Sequence, residues 1–131
     1  MKKSGVLHAE LSKCLAALGH KDLYMIGDAG MPIPPGVQVI DLAVQAGVPT
    51  FAQVLDAVLS EVVVEHYTLA EEIAEANPTL HKYIAQKLPE ATSDYISHEE
   101  LKKLSQKCRF AIRTGEFSPY PNVILTAGVA F

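Results

Sequence analysis

The chain contains no tryptophan, only 7% aromatic residues and two cysteines, Cys14 and Cys108, which lie far apart with no CxxC spacing. It has no disulfide framework and no redox motif, and a reduced, cytoplasmic protein is the expectation. No run of Lys or Arg is long enough to track a phosphate backbone, and 11 basic against 15 acidic residues leave a net charge of −4. Nucleic acid is therefore not expected as a partner. No apolar run approaches the roughly 18 residues of a membrane span, so no membrane insertion is expected. Met1-Lys2-Lys3 could start an export signal, but His8, Glu10, Ser12 and Lys13 break the apolar stretch that would have to follow. HExxH and Cys/His spacings are missing, and no metal is expected. Gly27-Asp28-Ala29-Gly30 lacks the Gly-Lys-Ser/Thr of a P-loop and is too short for G-x-G-x-x-G.

What is present suits a single domain over 1–131, 49% hydrophobic and long enough to bury a real core. Leu11, Leu15 and Leu18, with Cys14 on the same stripe, predict a helix from about Ala9 that ends in a left-handed cap at Gly19. Residues 23–26 read as a short buried strand, 28–36 as a Gly- and Pro-rich loop, and 37–42 as a second strand. Thr50 and Gln53 stand at capping-box spacing before a helix with Phe51, Val54, Leu55, Val58 and Leu59 on one face. A strand over 61–67 follows, with Leu69 as a further candidate, while 70–76 fits no single element.

Asn77-Pro78 is a helix start, with Leu80, Ile84 and Leu88 as its stripe. Ser97-His98-Glu99-Glu100 opens another helix, running to about Lys107. Residues 109–113 alternate as a strand with one polar face, and 122–128 form a last, more buried strand after an irregular loop. This alternation predicts an α/β domain with a mixed or largely parallel sheet flanked by helices.

Candidate chemistry gathers in polar residues beside glycine or proline. His20 follows Gly19 and Asp28 follows Gly27, bracketing one short strand. His is the side chain suited to proton transfer near neutrality, and strand-end loops face clefts. His20 thus reads as an acid/base group or a helix-terminus cap, and Asp28 as its partner or as a turn residue bonding its own backbone. His98 sits in the first turn of a capped helix, where a polar residue is expected on solvent grounds alone. Tyr120-Pro121-Asn122 places a phenol and a carboxamide around a rigid proline; both donate and accept hydrogen bonds, which suits a neutral sugar.

Together, Gly19-His20-x-Asp22, Gly27-Asp28-Ala29-Gly30 with Pro32, and Tyr120-Pro121-Asn122 before Val-Ile-Leu-x-x-Gly resemble the D-ribose pyranase family, which also contains the fucose mutarotases. The resemblance spans essentially the whole chain. It implies an isomerase that interconverts β-D-ribopyranose and β-D-ribofuranose without cofactor or metal, supplying furanose for phosphorylation. It implies His20 as the proton donor, with Asp28, His98, Tyr120 and Asn122 as sugar-binding residues. A cytoplasmic homodecamer of two stacked pentameric rings is also implied. In this reading His20 and Asp28 form one wall of the site and Tyr120-Pro121-Asn122 the other, which another subunit would supply. The alternatives are a non-catalytic ribose-binding accessory of a transporter, and a fucose mutarotase.

Overall fold

Local capping chemistry starts most of the helices in the computed structural model, which describes Met1–Phe131. His8 Nδ1 accepts from Leu11 N–H at 3.1 Å and opens α1 (Ala9–Ala16). The strands β1 (Leu23–Gly27) and β2 (Gln38–Asp41) follow, joined by the expected irregular loop. Thr50 Oγ1 accepts from Gln53 N–H at 3.1 Å and Gln53 Oε1 accepts from Thr50 N–H at 2.9 Å, closing the expected capping box at the start of α2 (Phe51–Leu59). β3 (Val64–Ala70) leads through a short α3 (Ile73–Ala76) to α4 (Pro78–Lys87), capped by Asn77 as expected. β4 (Thr92–Ile96) precedes α5 (His98–Leu104), which Ser97 caps, and a 3-10 turn (Ser105–Lys107). β5 (Phe110–Arg113) and β6 (Val123–Ala127) are the last strands.

The strands form one six-stranded sheet in the order β2-β5-β1-β6-β3-β4. β5 is parallel to β1 and β2, β4 is parallel to β3, and β6 is antiparallel to its neighbours β1 and β3. Strands β1 to β5 therefore all point one way. One edge of the sheet collects their carboxyl ends and the amino end of β6, which is where ligands bind in open α/β sheets. The opposite edge collects the 19–22 turn, the start of β3 and the residues after β6.

Both faces of the sheet are covered. Tyr24, Ile26, Val123 and Leu125 point into a core with Leu11 and Leu15 of α1, Phe51, Val54, Leu55 and Val58 of α2, and Ile84 of α4. Their strand neighbours Met25 and Ile124 point the other way, against Leu101 of α5 and Cys108. An isolated helix as short as α2 is marginal in water, so its buried stripe holds it, at about 1.5–3 kcal/mol per buried apolar side chain.

The α/β architecture with a mixed, mostly parallel sheet agrees with the sequence, and four local expectations are corrected. Gly19 is no left-handed cap: α1 stops at Ala16 with Ala17 as its right-handed C-cap, and the left-handed residue is Lys21, at φ 74°. The strand expected over 61–67 starts at Val64 and continues to Ala70, and α3 takes the rest of the ambiguous segment. β5 has no polar face between its ends, because Ala111 is as buried as Phe110 and Ile112. β4 has no counterpart in the sequence reading. It is an exposed edge strand of polar composition, tied to β3 by His66, whose Nδ1 lies 2.6 Å from Thr92 Oγ1 and whose Nε2 lies 2.7 Å from Asp94 Oδ1.

Candidate active site

At the carboxyl edge, Asp28 and Asn122 meet where β1 ends and β6 begins. Asn122 is fully buried. Its Nδ2 donates to Asp28 Oδ2 at 2.9 Å while its Oδ1 accepts from Asp28 N–H at 2.8 Å. Asp28 Oδ1 accepts from Gly30 N–H at 2.8 Å, so the turn reading of Asp28 holds alongside its pairing. Gly27 makes the approach feasible: a Cβ there would stand 3.0 Å from Asn122 Oδ1 and 3.2 Å from Met31 Cβ.

Tyr120 reaches the same edge in a left-handed conformation, φ 63°. Its carbonyl accepts from Asn122 N–H at 2.8 Å, kinking the chain around Pro121. Such a conformation costs a bulky residue on the order of 1–3 kcal/mol and survives only where its surroundings hold it. Here they do. Asn77 Nδ2 donates to Ser118 Oγ and Pro119 O, both at 2.9 Å, and Thr114 Oγ1 donates to Gly27 O at 2.8 Å. The Tyr120 ring meets His98 edge-on, with centroids 5.1 Å apart at 85°. His98 is placed by its backbone N–H, which donates to the Glu72 carboxylate at 3.0 Å, while its buried Nδ1 has no partner within the protein. Asp28 also borders an open cleft of about 380 Å³ with Arg113, Glu116 and Ser118.

His20 lies at the opposite edge. β1, five residues long, separates it from Asp28, which at about 3.3 Å per residue is roughly 16 Å. The expected wall of His20 with Asp28 is therefore corrected: Asp28 belongs with Asn122, Tyr120 and His98, and His20 stands apart. Its turn is held by Gly19 N–H donating to Asp22 Oδ2 at 2.8 Å and Lys21 N–H donating to Ala127 O at 2.9 Å. His20 Nε2 lies 2.9 Å from Glu65 Oε2, and Lys21 Nζ reaches the other oxygen of the same carboxylate. The Lys21 ammonium, and then the His20 imidazole, hold the Glu65 carboxyl below its ordinary range. Leu18, Val63, Val129 and Phe131 line a cavity of about 500 Å³ beside His20.

Glu65 and Glu72 were not among the expected residues, since neither carries a local sequence signal. The remaining histidines have structural partners: His8 caps α1, His66 pins β4, and His81 Nε2 lies 2.7 Å from Tyr95 Oη. No group of three or more His, Cys, Asp or Glu stands where it could share a metal ion.

An α/β domain with phenol, carboxamide, carboxylate and imidazole at one sheet edge, and an exposed histidine–carboxylate pair at the other, is equipped to hydrogen-bond a small hydroxylated molecule and to move protons. The chain belongs to the RbsD / FucU transport protein family, whose model matches residues 1–130. It is 50% identical to the D-ribose pyranase of Bacillus cereus (strain G9842) over 131 residues, all of both chains, and 48% identical to that of Bacillus cytotoxicus over the same length. Among solved structures, Bacillus subtilis RbsD complexed with D-ribose matches all of both chains with a TM-score of 0.96 at 44% identity. The fucose mutarotase of Streptococcus pneumoniae in complex with L-fucose shares the fold, with a TM-score of 0.78 at 22% identity over 95% of each chain.

Proposed function

We propose that this protein is a D-ribose pyranase, an isomerase of carbohydrate metabolism that interconverts β-D-ribopyranose and β-D-ribofuranose. The full-length similarity to proteins of that name, at 50% identity, carries the reading. Ring opening moves the anomeric hydroxyl proton to the ring oxygen as the C1–O5 bond breaks and the C1 carbonyl forms. Closure through O4 moves the O4 proton to that carbonyl oxygen. His20 is the shuttle for both transfers; acid/base assistance of this kind contributes roughly 10² to 10⁴ in rate. Asp28, His98, Tyr120 and Asn122 hold the sugar hydroxyls. The whole chain forms a single mutarotase domain.

With His20 at one edge of the sheet and the other four residues at the opposite edge, a complete site takes His20 from one copy and the rest from a neighbour. A contact between two different edges of identical chains is heterologous, and such contacts close into a ring when the rotation from copy to copy completes a circle. Exposed apolar residues stand at both edges, Val44 and Phe117 at one, Val129 and Phe131 at the other, and ring closure would cover them. This favours the pentameric rings, stacked into a decamer, that the family resemblance implies. A cytoplasmic location agrees with a product destined for phosphorylation, and no helix is long and apolar enough to cross a membrane.

NMR saturation transfer between the pyranose and furanose signals of D-ribose tests the function. Wild type should accelerate exchange and His20→Ala should not. A family described as transport proteins also admits a ribose-binding accessory, which predicts binding without acceleration. The same experiment on L-fucose separates the sugar specificities.

A further inference from the structure

Glu65 stands out because independent features bring it to His20. The pairing of β3 with β6 slips between Val64 and His66, so that Val64 faces Ala127 while His66 faces Thr126. Glu65 is the extra residue of this bulge, and bulges re-aim side chains, often beside active sites. Its place is kept open by Gly128, where a Cβ would stand 3.3 Å from Glu65 Cβ and 3.1 Å from Val63 Cγ1. Gly128 is the glycine that ends the Val-Ile-Leu-x-x-Gly motif. From within the 19–22 turn, Lys21 engages one Glu65 oxygen, leaving the other 2.9 Å from His20 Nε2.

We infer that Glu65 is the positioning residue of His20: its Oε2 accepts from Nε2–H, which fixes the imidazole tautomer and leaves Nδ1 as the nitrogen that exchanges protons with the sugar. An ionised carboxylate can only accept, so the proton between the two groups belongs to Nε2. His20 Nδ1 has no partner within the chain, on a side chain that is 48% exposed. In the reaction Nδ1 takes the anomeric proton and returns it to the ring oxygen, and Glu65 stabilises the intervening imidazolium without itself gaining a proton. Other charged groups near the turn are engaged elsewhere. Asp22 Oδ2 accepts from Gly19 N–H and pairs with Arg109 at 3.3 Å, Glu61 Oε1 accepts from Val6 N–H at 2.7 Å, and His66 and Asp94 bond each other.

The inference rests on the catalytic reading of His20, and the experiment separates the two. Ribose exchange rates are measured for wild type, Glu65→Gln, Glu65→Asp and His20→Ala, with 15N spectra of the His20 ring. Neutral wild-type His20 should carry its proton on Nε2. Glu65→Gln should lower the exchange rate constant on the order of tenfold with ribose affinity within about threefold, and should let the ring proton of His20 redistribute between Nε2 and Nδ1. Glu65→Asp should recover part of the rate and of the Nε2–H tautomer. A wild-type Nδ1–H tautomer overturns the inference even if no variant folds, as does an unchanged rate and tautomer in Glu65→Gln. Full exchange by His20→Ala would instead overturn the catalytic reading, whatever the tautomer.

Discussion

The Asp28 carboxylate and the Asn122 carboxamide hold each other reciprocally, at 2.9 Å through the side chains and 2.8 Å through the Asp28 N–H. The pair ties the end of β1 to the start of β6, the strand that runs against all the others. It orients a buried amide and a half-buried carboxylate against each other. Neighbouring residues can then be judged by whether they disturb this pair.

Gly27→Ala should disturb it directly. The new methyl would press on Asn122 Oδ1 at 3.0 Å and on Met31 at 3.2 Å, and crowding in a packed interior costs about 1–3 kcal/mol. Thermal melting should fall accordingly and ribose exchange should drop. Gly30→Ala is the matched control, since its nearest neighbour would be Asp28 Oδ1 at 3.6 Å; its melting temperature should stay close to wild type. Equal melting of the two variants would contradict the packing argument.

Tyr120→Phe should leave the fold intact, because the backbone strain and the edge contact with His98 belong to the ring and main chain. It removes only the hydroxyl, and one neutral hydrogen bond contributes about 0.5–1.5 kcal/mol. Ribose affinity, followed by NMR titration, should weaken by roughly three- to tenfold at unchanged melting temperature. Unchanged affinity would remove the phenol from the sugar site.

The Glu65 cluster predicts a pH dependence of stability. Its carboxyl is held below its ordinary value of 4.5 chiefly by Lys21 and then by His20. A group whose folded pKa is depressed adds stability above its unfolded value and loses it as the pH falls through the folded one. Wild type should therefore melt higher than Glu65→Gln at neutral pH, by a small margin since the pair is solvent-accessible. The margin should close as the pH is taken well below 4.5. A margin that persists in acid would point to packing instead.

Both thiols should be inert in the folded protein. Burial pushes the Cys108 thiol up to about 12 and also raises Cys14. At pH 8 only about 10⁻⁴ of Cys108 would be thiolate, the reactive form. A colorimetric thiol reagent should titrate neither cysteine in native buffer and both in urea. Rapid reaction of either one without denaturant would contradict their placement in the core.

Signals confined to a few neighbouring residues were legible in the sequence. Thr50 with Gln53, Asn77 before Pro78, and Ser97 before Glu100 start helices where expected, because a cap is a contact between residues three apart. β4 was not legible, because an exposed edge strand needs no apolar alternation, and Thr92, Ser93 and Asp94 look like loop. The grouping of the candidate residues was not legible. Which residues share an edge depends on β6 entering between β1 and β3 in the reverse direction, a pairing across the length of the chain. Glu65 left a single trace, the glycine at position 128 that makes room for it.

The account turns on a site divided between two edges of the sheet and completed by a neighbouring copy. Mixing refolded His20→Ala with refolded Asp28→Ala, each inactive alone, tests this most directly through ribose exchange measured by NMR. In head-to-tail rings assembled from equal amounts, about one quarter of the contacts join an intact His20 edge to an intact Asp28 edge. Exchange should return to about a quarter of the wild-type rate. A mixture as inactive as its components, once mixed rings are shown to form, would place the whole site within one chain and contradict the account.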